Sequence, residues 1–411
     1  MFGDMFKVDA DPGDVDLDAD RLRRLDDVFR SFVDDGRLPG WTLAVARRGK
    51  VVHLTHHGLA DIDSGRPVGD DTLWRIYSMT KPITSVAAMM LYEQGSFELT
   101  DPVSKFIPEF AEPRVYVGGS AAAPGTRPAV EPIRVWHLLT HTAGLTYGFH
   151  HAHAVDEMYR TRGYEFGVPD GQDLAAACTG WARFPLLFDP GAEWNYSVAT
   201  DVLGRVVEVV SGLPLDEFFA ERIFGPLAMT DTAFSVSGDD VERLATLYTS
   251  REGTLTRSVR MGDAVTKPVT FFSGGGGLVS TAADYHRFAQ MLARGGELDG
   301  VRLLSPRTVA YMTRNHLPGG VDLDAFGRPL YAESQFRGIG FGLGFSVVLD
   351  PVPGKALSSA GEFAWGGLAR TAFYVDPAEE ITAMFFTQLL PGPVYPLRTL
   401  LRTLVTQAVV A

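Results

Sequence analysis

The chain has 411 residues, of which 45% are hydrophobic and 21% charged, an ordinary composition for a globular protein with a sizeable core. This length favours two lobes, or one large domain with an insertion. The formal net charge of −13, without a compensating basic run, argues against binding to nucleic acid or to an anionic membrane surface.

Cys178 is the only cysteine, so no disulfide can form within the chain, and a buried, inert thiol is expected. The first twenty residues are acidic and lack the apolar run of a secretory signal. No stretch of the sequence approaches 18 uninterrupted apolar residues. These features predict a cytoplasmic protein without a membrane segment.

The N-terminal part of the chain mixes helix and strand patterns. Residues 18–36 carry apolar side chains at helical spacing, and residues 41–61 predict a β-hairpin. A second helix is expected from near Ser78 to Gly95. Residues 117–132 are rich in Gly, Ala and Pro and indicate an exposed loop.

The rest of the chain changes from helices to strands. Residues 133–260 predict helices joined by loops, and residues 281–295 predict a helix capped by Thr281. Three consecutive strands and a final helix are then expected, at residues 341–350, 368–377, 381–390 and 394–409.

This order of elements predicts an α+β fold. Strands from both ends of the chain would form one antiparallel sheet flanked by helices, with a mostly helical domain inserted. We expect residues 1–76 and 275–411 to form the sheet domain and residues 77–274 the helical domain. The active site would lie in the cleft between them.

The segment "WRIYSMTKPITSVAAMMLYEQG" places a hydroxyl and an amine one helical turn apart, at Ser78 and Lys81. Pro82 is tolerated only in the first turn of a helix, so the helix starts close to Ser78. The positive end of the helix dipole stabilises a serine alkoxide and disfavours an ammonium. Ser78 is therefore a candidate nucleophile with Lys81 as its base; alternatively, Ser78 only caps the helix and Lys81 is a surface residue.

Four motifs in series carry a family resemblance: "SMTKPITSVAAMMLYEQG", "VWHLLTHTAGLTYG", "PGAEWNYSVATDVLGRVVEVVSG" and "SGGGGLVSTAADYHRFAQMLARGG", followed by "WGGLARTAFYVDP". In this order they resemble the serine β-lactamase and penicillin-binding-protein superfamily over residues 20–405. The closest likeness is to class C β-lactamase-like hydrolases and family VIII carboxylesterases. The resemblance implies a β-lactamase/transpeptidase-like fold.

The resemblance also implies residue roles. Ser78 would form an acyl-enzyme, and Lys81 and Tyr196 would act as general base and acid in an order that the sequence leaves open. The backbone N–H groups of Ser78 and Leu368 would form the oxyanion hole.

Two departures from the β-lactamase pattern favour an ester substrate. Tyr196 is followed by Ser197 and Val198, so the asparagine that grips an amide substrate is absent. Trp365-Gly366-Gly367 stands where β-lactamases carry Lys-Thr-Gly, and an indole offers an apolar face in place of a cation. Arg370 is a possible substitute cation, although a surface arginine on a strand is the favoured interpretation.

Other candidate sites are weaker. His150, His151 and His153 suggest a metal site, but their spacing is not that of a zinc enzyme, and a loop at the cleft mouth is favoured. The glycines of residues 273–280 lack the Lys-Ser/Thr of a phosphate loop and are expected to form a wall of the cleft. His141 and Thr142 are expected to buttress the fold, and no Gly-x-Ser-x-Gly elbow occurs.

The sequence therefore predicts a serine carboxylesterase acting on short-to-medium acyl esters, with a small-molecule ester as its only partner and no cofactor or metal. The alternatives are a D-aminoacyl peptidase or weak β-lactamase, an acyltransferase, and a catalytically silent binder of cell-wall or acyl compounds. The oligomeric state is left open.

Overall fold

The computed structural model describes residues 6–328, 336–391 and 395–411. The helices are α1 (Ala19–Asp34), α2 (Thr80–Glu93), α3 (Val135–Leu139), α4 (Ala154–Thr161), α5 (Leu174–Trp181), α6 (Ala199–Ser211), α7 (Leu215–Phe219), α8 (Val259–Gly262), α9 (Ala282–Ala293), α10 (Pro306–Met312), α11 (Leu323–Phe326), α12 (Pro351–Gly354) and α13 (Leu397–Thr406). The strands are β1 (Gly40–Arg47), β2 (Lys50–Asp61), β3 (Arg66–Pro67), β4 (Trp74–Arg75), β5 (Arg114–Ser120), β6 (Ala123–Pro128), β7 (Tyr248–Arg251), β8 (Thr254–Arg257), β9 (Val279–Ser280), β10 (Glu297–Leu298), β11 (Val301–Arg302), β12 (Ile339–Phe341), β13 (Ser346–Val348), β14 (Phe363–Gly366), β15 (Ala372–Asp376) and β16 (Ile381–Phe386).

An antiparallel sheet of eight strands forms the centre of the molecule, in the order β12-β13-β14-β15-β16-β1-β2-β3. The two ends of the chain meet where β1 pairs with β16, with Thr42 opposite Phe386 and Arg47 opposite Ile381. All eight residues of β1 are buried, as expected for a central strand covered on both faces. The predicted α+β fold, with one sheet built from both ends of the chain, is confirmed.

Helices cover both faces of this sheet. On one face α1 packs beside α13, and Leu25 and Phe29 join Leu401 in a core that includes Phe385 of β16. On the other face α9 contacts β15 and β16, and Phe288 shares a second core with Phe373. Both helical layers place apolar side chains on the sheet.

The helix α2 runs through the interior of the second core. Every residue from Thr80 to Leu91 is buried, including Lys81. Most of these side chains are apolar, as expected of a helix inside a protein. Burying an ammonium there is costly unless the site provides partners, so Lys81 requires a specific explanation.

Two predicted helices are confirmed, and each begins after a residue whose side chain caps it. The first helix begins after Asp18, whose side chain accepts a hydrogen bond from the N–H of Arg21 at 2.9 Å. The helix α9 begins after Thr281, whose hydroxyl accepts from the N–H of Asp284 at 3.2 Å. The final helix spans Leu397–Thr406; position 394, where its predicted start falls, lies outside the described residues.

Other expectations are wrong in detail. Residues 117–132 were expected to be a loop, yet most of them belong to the exposed hairpin of β5 and β6, in which Val115 lies opposite Arg127. Because no residue from 117 to 128 is buried, this part of the hairpin shows no apolar alternation. Residues 133–260 also contain a hairpin, β7–β8, and the C-terminal sheet has five strands where three were expected.

Arg370 is not a surface residue. It lies in the turn between β14 and β15, is 1% exposed, and adopts a positive φ of 68°. Its guanidinium carbon lies 5.3 Å from the ring centroid of Tyr395, which packs on Phe32 of α1. Arg370 therefore takes part in the packing beneath this turn.

Within the described ranges, no helix is both long enough and apolar enough to cross a bilayer.

Candidate active site

Ser78 lies where a strand passes into the buried helix. The short strand β4 leads into a 3₁₀ turn at Tyr77–Met79, and α2 continues directly from Thr80. Tyr77 adopts a positive φ of 42°, a conformation that costs free energy in a residue with a bulky side chain. This bend sets Ser78 at the start of the helix, half-buried and within reach of the next turn.

Lys81 reaches back to Ser78 as the sequence predicts. Its Nζ lies 3.2 Å from Ser78 Oγ and donates a shorter hydrogen bond, of 2.6 Å, to the carbonyl oxygen of Gly275. Its Nζ also lies 4.5 Å and 5.3 Å from the ring centroids of Tyr196 and Tyr147. Ring faces attract a cation, so these contacts help to hold an amine that is 1% exposed.

Tyr196 is brought to the same place from the segment before α6. Its hydroxyl accepts a hydrogen bond from Trp365 Nε1 at 3.3 Å, and the two ring centroids lie 5.4 Å apart. Phe341 lies edge-on to Trp365, with a centroid distance of 5.4 Å. The structure thus brings together Ser78, Lys81 and Tyr196, beside an aromatic wall that includes Trp365.

The glycine-rich segment contacts the lysine directly. The strand β9, which follows this segment, pairs with β4, so that Trp74 lies opposite Ser280. This pairing brings Gly275 over the first turn of α2. The segment was expected to form a wall of the cleft; it also supplies the acceptor for Lys81.

Asp201 is a residue that the sequence analysis missed. Its buried carboxylate accepts hydrogen bonds from Ser273 Oγ at 2.5 Å and from the N–H of Gly275 at 2.9 Å. Burial raises its pKa, although the nearby Lys81 cation acts in the opposite direction. An acidic residue five positions after Tyr196, in the first turn of α6, is the sequence signal that could have found it.

The Trp-Gly-Gly motif ends β14 and turns tightly beside the nucleophile. Thr371 Oγ1 donates to the carbonyl of Ile76 at 3.4 Å, which ties this turn to the backbone two residues before Ser78. A Cβ atom at Gly367 would collide with the same carbonyl and with Thr371 Oγ1, so a glycine is required. Leu368, whose N–H was predicted for the oxyanion hole, follows Gly367 in this turn.

Two histidines, His141 and His150, lie beside Tyr196. His141 is buried, with Nδ1 3.3 Å from Ser197 Oγ and its ring centroid 4.9 Å from that of Tyr196. Burial, assisted by the Lys81 cation, lowers the pKa of His141 well below its usual value, which keeps the ring neutral. Thr142 bonds to Thr140 through their hydroxyls at 2.8 Å.

The three histidines of the 150–153 segment point in different directions. His150 Nε2 lies 2.7 Å from the carbonyl oxygen of Tyr196, whereas His151 pairs with Glu165 at 3.1 Å. His153 caps α4 through Nδ1. Among the residues that the structure describes, no three His, Cys, Asp or Glu side chains are arranged to hold a metal ion.

The profile of the Beta-lactamase family matches residues 25–407 of the chain. The chain belongs to the Beta-lactamase family. Since the match covers nearly the whole sequence, it includes every residue of the site described above. The resemblance to the serine β-lactamase superfamily inferred from the motifs is confirmed.

Three proteins illustrate this relationship. Protein Rv1367c of Mycobacterium tuberculosis is 38% identical over 367 residues, covering 88% of this chain and 89% of that protein. Esterase EstB of Burkholderia gladioli is 33% identical over 405 residues, covering 93% and 94%. The solved structure of EstCE1, described as a hydrolase with promiscuous acyltransferase activity, matches with a TM-score of 0.80 at 28% identity, covering 94% of this chain and 99% of that chain.

Proposed function

We propose that this Beta-lactamase family protein is a serine carboxylesterase that cleaves short-to-medium acyl esters through an acyl-Ser78 intermediate. The observation that carries the proposal is the buried Lys81 amine, 3.2 Å from Ser78 Oγ and beside Tyr196. A hydroxyl with a base within hydrogen-bond reach is the arrangement that nucleophilic catalysis requires. The kinship to Esterase EstB supports the same reaction class.

The reaction runs in two half-reactions. Lys81 takes the proton of Ser78 as Oγ attacks the ester carbonyl, and the N–H groups of Ser78 and Leu368 stabilise the negative oxygen of the tetrahedral intermediate. The bond to the alkoxy oxygen then breaks, and Tyr196 or Lys81 protonates the departing alcohol. A water molecule, deprotonated by the same pair, attacks the acyl-serine. The bond between the acyl carbon and Ser78 Oγ then breaks, the pair returns the proton to Oγ, and the acid is released.

The aromatic wall favours an ester over a β-lactam or a peptide. Trp365 stands where a cation would bind the carboxylate of a β-lactam, and its ring contacts Phe341 and Tyr196. Taking a carboxylate from water to such a surface is unfavourable, whereas an uncharged ester pays no such cost. The missing asparagine after Tyr196 removes a further contact for amide substrates.

Two chromogenic substrates separate these activities. We expect fast hydrolysis of p-nitrophenyl butyrate and little hydrolysis of a chromogenic cephalosporin, with both lost in Ser78→Ala. Fast cephalosporin hydrolysis without ester hydrolysis would overturn the esterase assignment in favour of a β-lactamase. If neither substrate is hydrolysed and no covalent adduct forms, the protein is a catalytically silent binder. In a separate assay, release of D-alanine from a D-alanyl dipeptide would identify a peptidase.

Acyl transfer is a second candidate function, because the structural relative EstCE1 is described as having promiscuous acyltransferase activity. An alcohol that replaces water in the second half-reaction would form a new ester from the same acyl-serine. Adding an alcohol to the p-nitrophenyl butyrate assay and measuring the ratio of new ester to butyrate distinguishes transfer from hydrolysis. A ratio that does not exceed the uncatalysed background would exclude transfer to that alcohol.

A further inference from the structure

Three aromatic side chains form a stack that the catalytic scheme does not use. The rings of Tyr147 and Phe149 lie 4.6 Å apart at 19°, and those of Phe149 and Phe166 lie 5.6 Å apart at 9°. We call these three residues the aromatic ladder. Stacked rings of this geometry attract one another and present a continuous apolar edge.

The ladder begins at the catalytic groups and ends in solvent. The ring centroid of Tyr147 lies 5.3 Å from Lys81 Nζ and 5.3 Å from the ring of Tyr196. Phe149 is half-buried, and Phe166 is 48% exposed. The ladder therefore forms an apolar path from the reacting groups to the surface.

Hydrogen bonds hold the two segments that carry the ladder against each other. Arg160 donates to the carbonyl of Gly148 at 2.7 Å, and His151 pairs with Glu165 at 3.1 Å. A Cβ atom at Gly148 would lie 2.5 Å from the carbonyl oxygen of Tyr164, so only glycine allows this close approach. The stacking of Phe149 on Phe166 is thus fixed by its surroundings.

We propose that the aromatic ladder binds the alcohol part of the ester and selects substrates in which that part is planar and apolar, such as aryl esters. The inference rests on the proposed esterase function. The alkoxy oxygen is protonated by Tyr196 or Lys81 as it departs, and Tyr147 contacts both of these residues. The alcohol part of the ester, which is bonded to that oxygen, would therefore lie against Tyr147 and extend along Phe149 and Phe166.

The test compares 2-naphthyl butyrate with ethyl butyrate, which share an acyl group. In Phe166→Ala, kcat/KM for the naphthyl ester should fall by about 3- to 10-fold more than for the ethyl ester, since an aromatic contact contributes roughly 0.5–1.5 kcal/mol. Tyr311→Ala removes a similarly exposed ring, 42% exposed on α10, and should leave the ratio of the two values unchanged. Phe166→Leu keeps apolar bulk without the ring, and a smaller fall in the ratio is expected.

A binding measurement separates failure of the ladder from failure of the esterase proposal. Fluorescence titration of 2-naphthyl butyrate into Ser78→Ala, with and without Phe166→Ala, reports binding independently of hydrolysis. Weaker binding of the naphthyl ester to Ser78→Ala/Phe166→Ala than to Ser78→Ala supports the ladder. If the wild type hydrolyses neither ester, the esterase proposal is overturned, but this binding result still supports the ladder. Unchanged binding, or equal losses for both esters, overturns the ladder and leaves the esterase proposal intact.

Discussion

The carbonyl oxygen of Gly275 accepts a 2.6 Å hydrogen bond from Lys81 Nζ, and the N–H of the same glycine is held by Asp201 at 2.9 Å. These two bonds join the buried carboxylate to the amine through one residue. Because Lys81 Nζ lies 3.2 Å from Ser78 Oγ, the position of Gly275 sets the approach of base to nucleophile. Asp201 is therefore inferred to be a positioning residue for Lys81.

Replacing Asp201 should slow the chemical step more than it weakens substrate binding. Asp201→Ala frees the N–H of Gly275 and the hydroxyl of Ser273, so the carbonyl that holds Lys81 is displaced. We expect kcat to fall on the order of 100-fold with a smaller change in KM, as misplacement of a catalytic group does. Steady-state kinetics with p-nitrophenyl butyrate measures this split.

A pH profile distinguishes positioning from a general loss of structure. Asp201→Asn keeps an acceptor oxygen but removes a buried negative charge near Lys81, so the acidic limb of kcat/KM should move to lower pH. Asp239→Asn, at an exposed acid, serves as the control and should leave the profile unchanged. An Asp201→Asn profile that matches the wild type would contradict the role assigned to Asp201.

Trp365 is expected to contribute both a hydrogen bond and an apolar face. Trp365→Phe keeps a ring but removes the donor to the hydroxyl of Tyr196, a bond with a net value of about 1 kcal/mol. The corresponding fall in kcat/KM is roughly 5-fold, and Trp365→Ala should cost more and also raise KM. As a control, Trp136→Phe in α3 removes a comparable indole hydrogen bond, the one donated to His316, and should not alter activity. Equal losses of kcat/KM in the two phenylalanine variants would argue against a specific role for the Trp365–Tyr196 hydrogen bond.

Gly367 should not tolerate a side chain. A methyl group there collides with the carbonyl of Ile76 and with Thr371 Oγ1, so Gly367→Ala must shift the turn that carries Leu368. We expect a loss of kcat of at least about 10-fold, since one oxyanion donor is worth 10²–10³ in rate. Gly13→Ala, where a methyl group meets no atom within 4 Å, is the matched control. Unimpaired turnover in Gly367→Ala would place the oxyanion hole elsewhere.

Stability should decrease as the pH is lowered from about 6.5 towards 4. Burial lowers the pKa of His137 and of His286 to about 4, from the usual 6.5, and it lowers that of His141 in the same direction. Between these values the unfolded chain binds protons that the folded protein does not, so acid favours unfolding. Asp284, whose pKa burial raises to about 6, takes up a proton in the folded state and offsets part of this effect.

Urea unfolding at several pH values tests this balance. The free energy of unfolding should fall between pH 6.5 and pH 4, and His286→Gln, which removes one of the three histidines, should make the fall smaller. A free energy that is constant or rises over this interval would contradict the assignment of these histidines as neutral in the folded protein.

The pairing of Ser78 with Lys81 was predictable because both residues lie within one turn at the start of a helix. A proline in the first helical turn fixes where α2 begins, and a spacing of three residues brings Lys81 to Ser78. The Trp365 motif and Tyr196 were found through family resemblance, since they come from distant parts of the chain. Asp201 was missed because its partners lie more than 70 residues away and nothing in the local sequence marks them.

The outer parts of the fold were less predictable for a related reason. The β5–β6 hairpin is solvent-exposed, so no pattern of apolar residues records its strands. Arg370 was expected on the surface because arginines usually lie there, and its burial depends on the ring of Tyr395. Both features depend on tertiary contacts rather than on local spacing.

A covalent adduct tests most directly whether Ser78 is the activated nucleophile. Intact mass after incubation with a serine-reactive phosphonate, followed by peptide mapping, should show one adduct on Ser78 and none in Ser78→Ala. Labelling of Lys81→Met should be far slower, because the base within 3.2 Å is removed. An adduct on another residue, or equal labelling of Ser78→Ala and the wild type, would show that Ser78 is not the nucleophile.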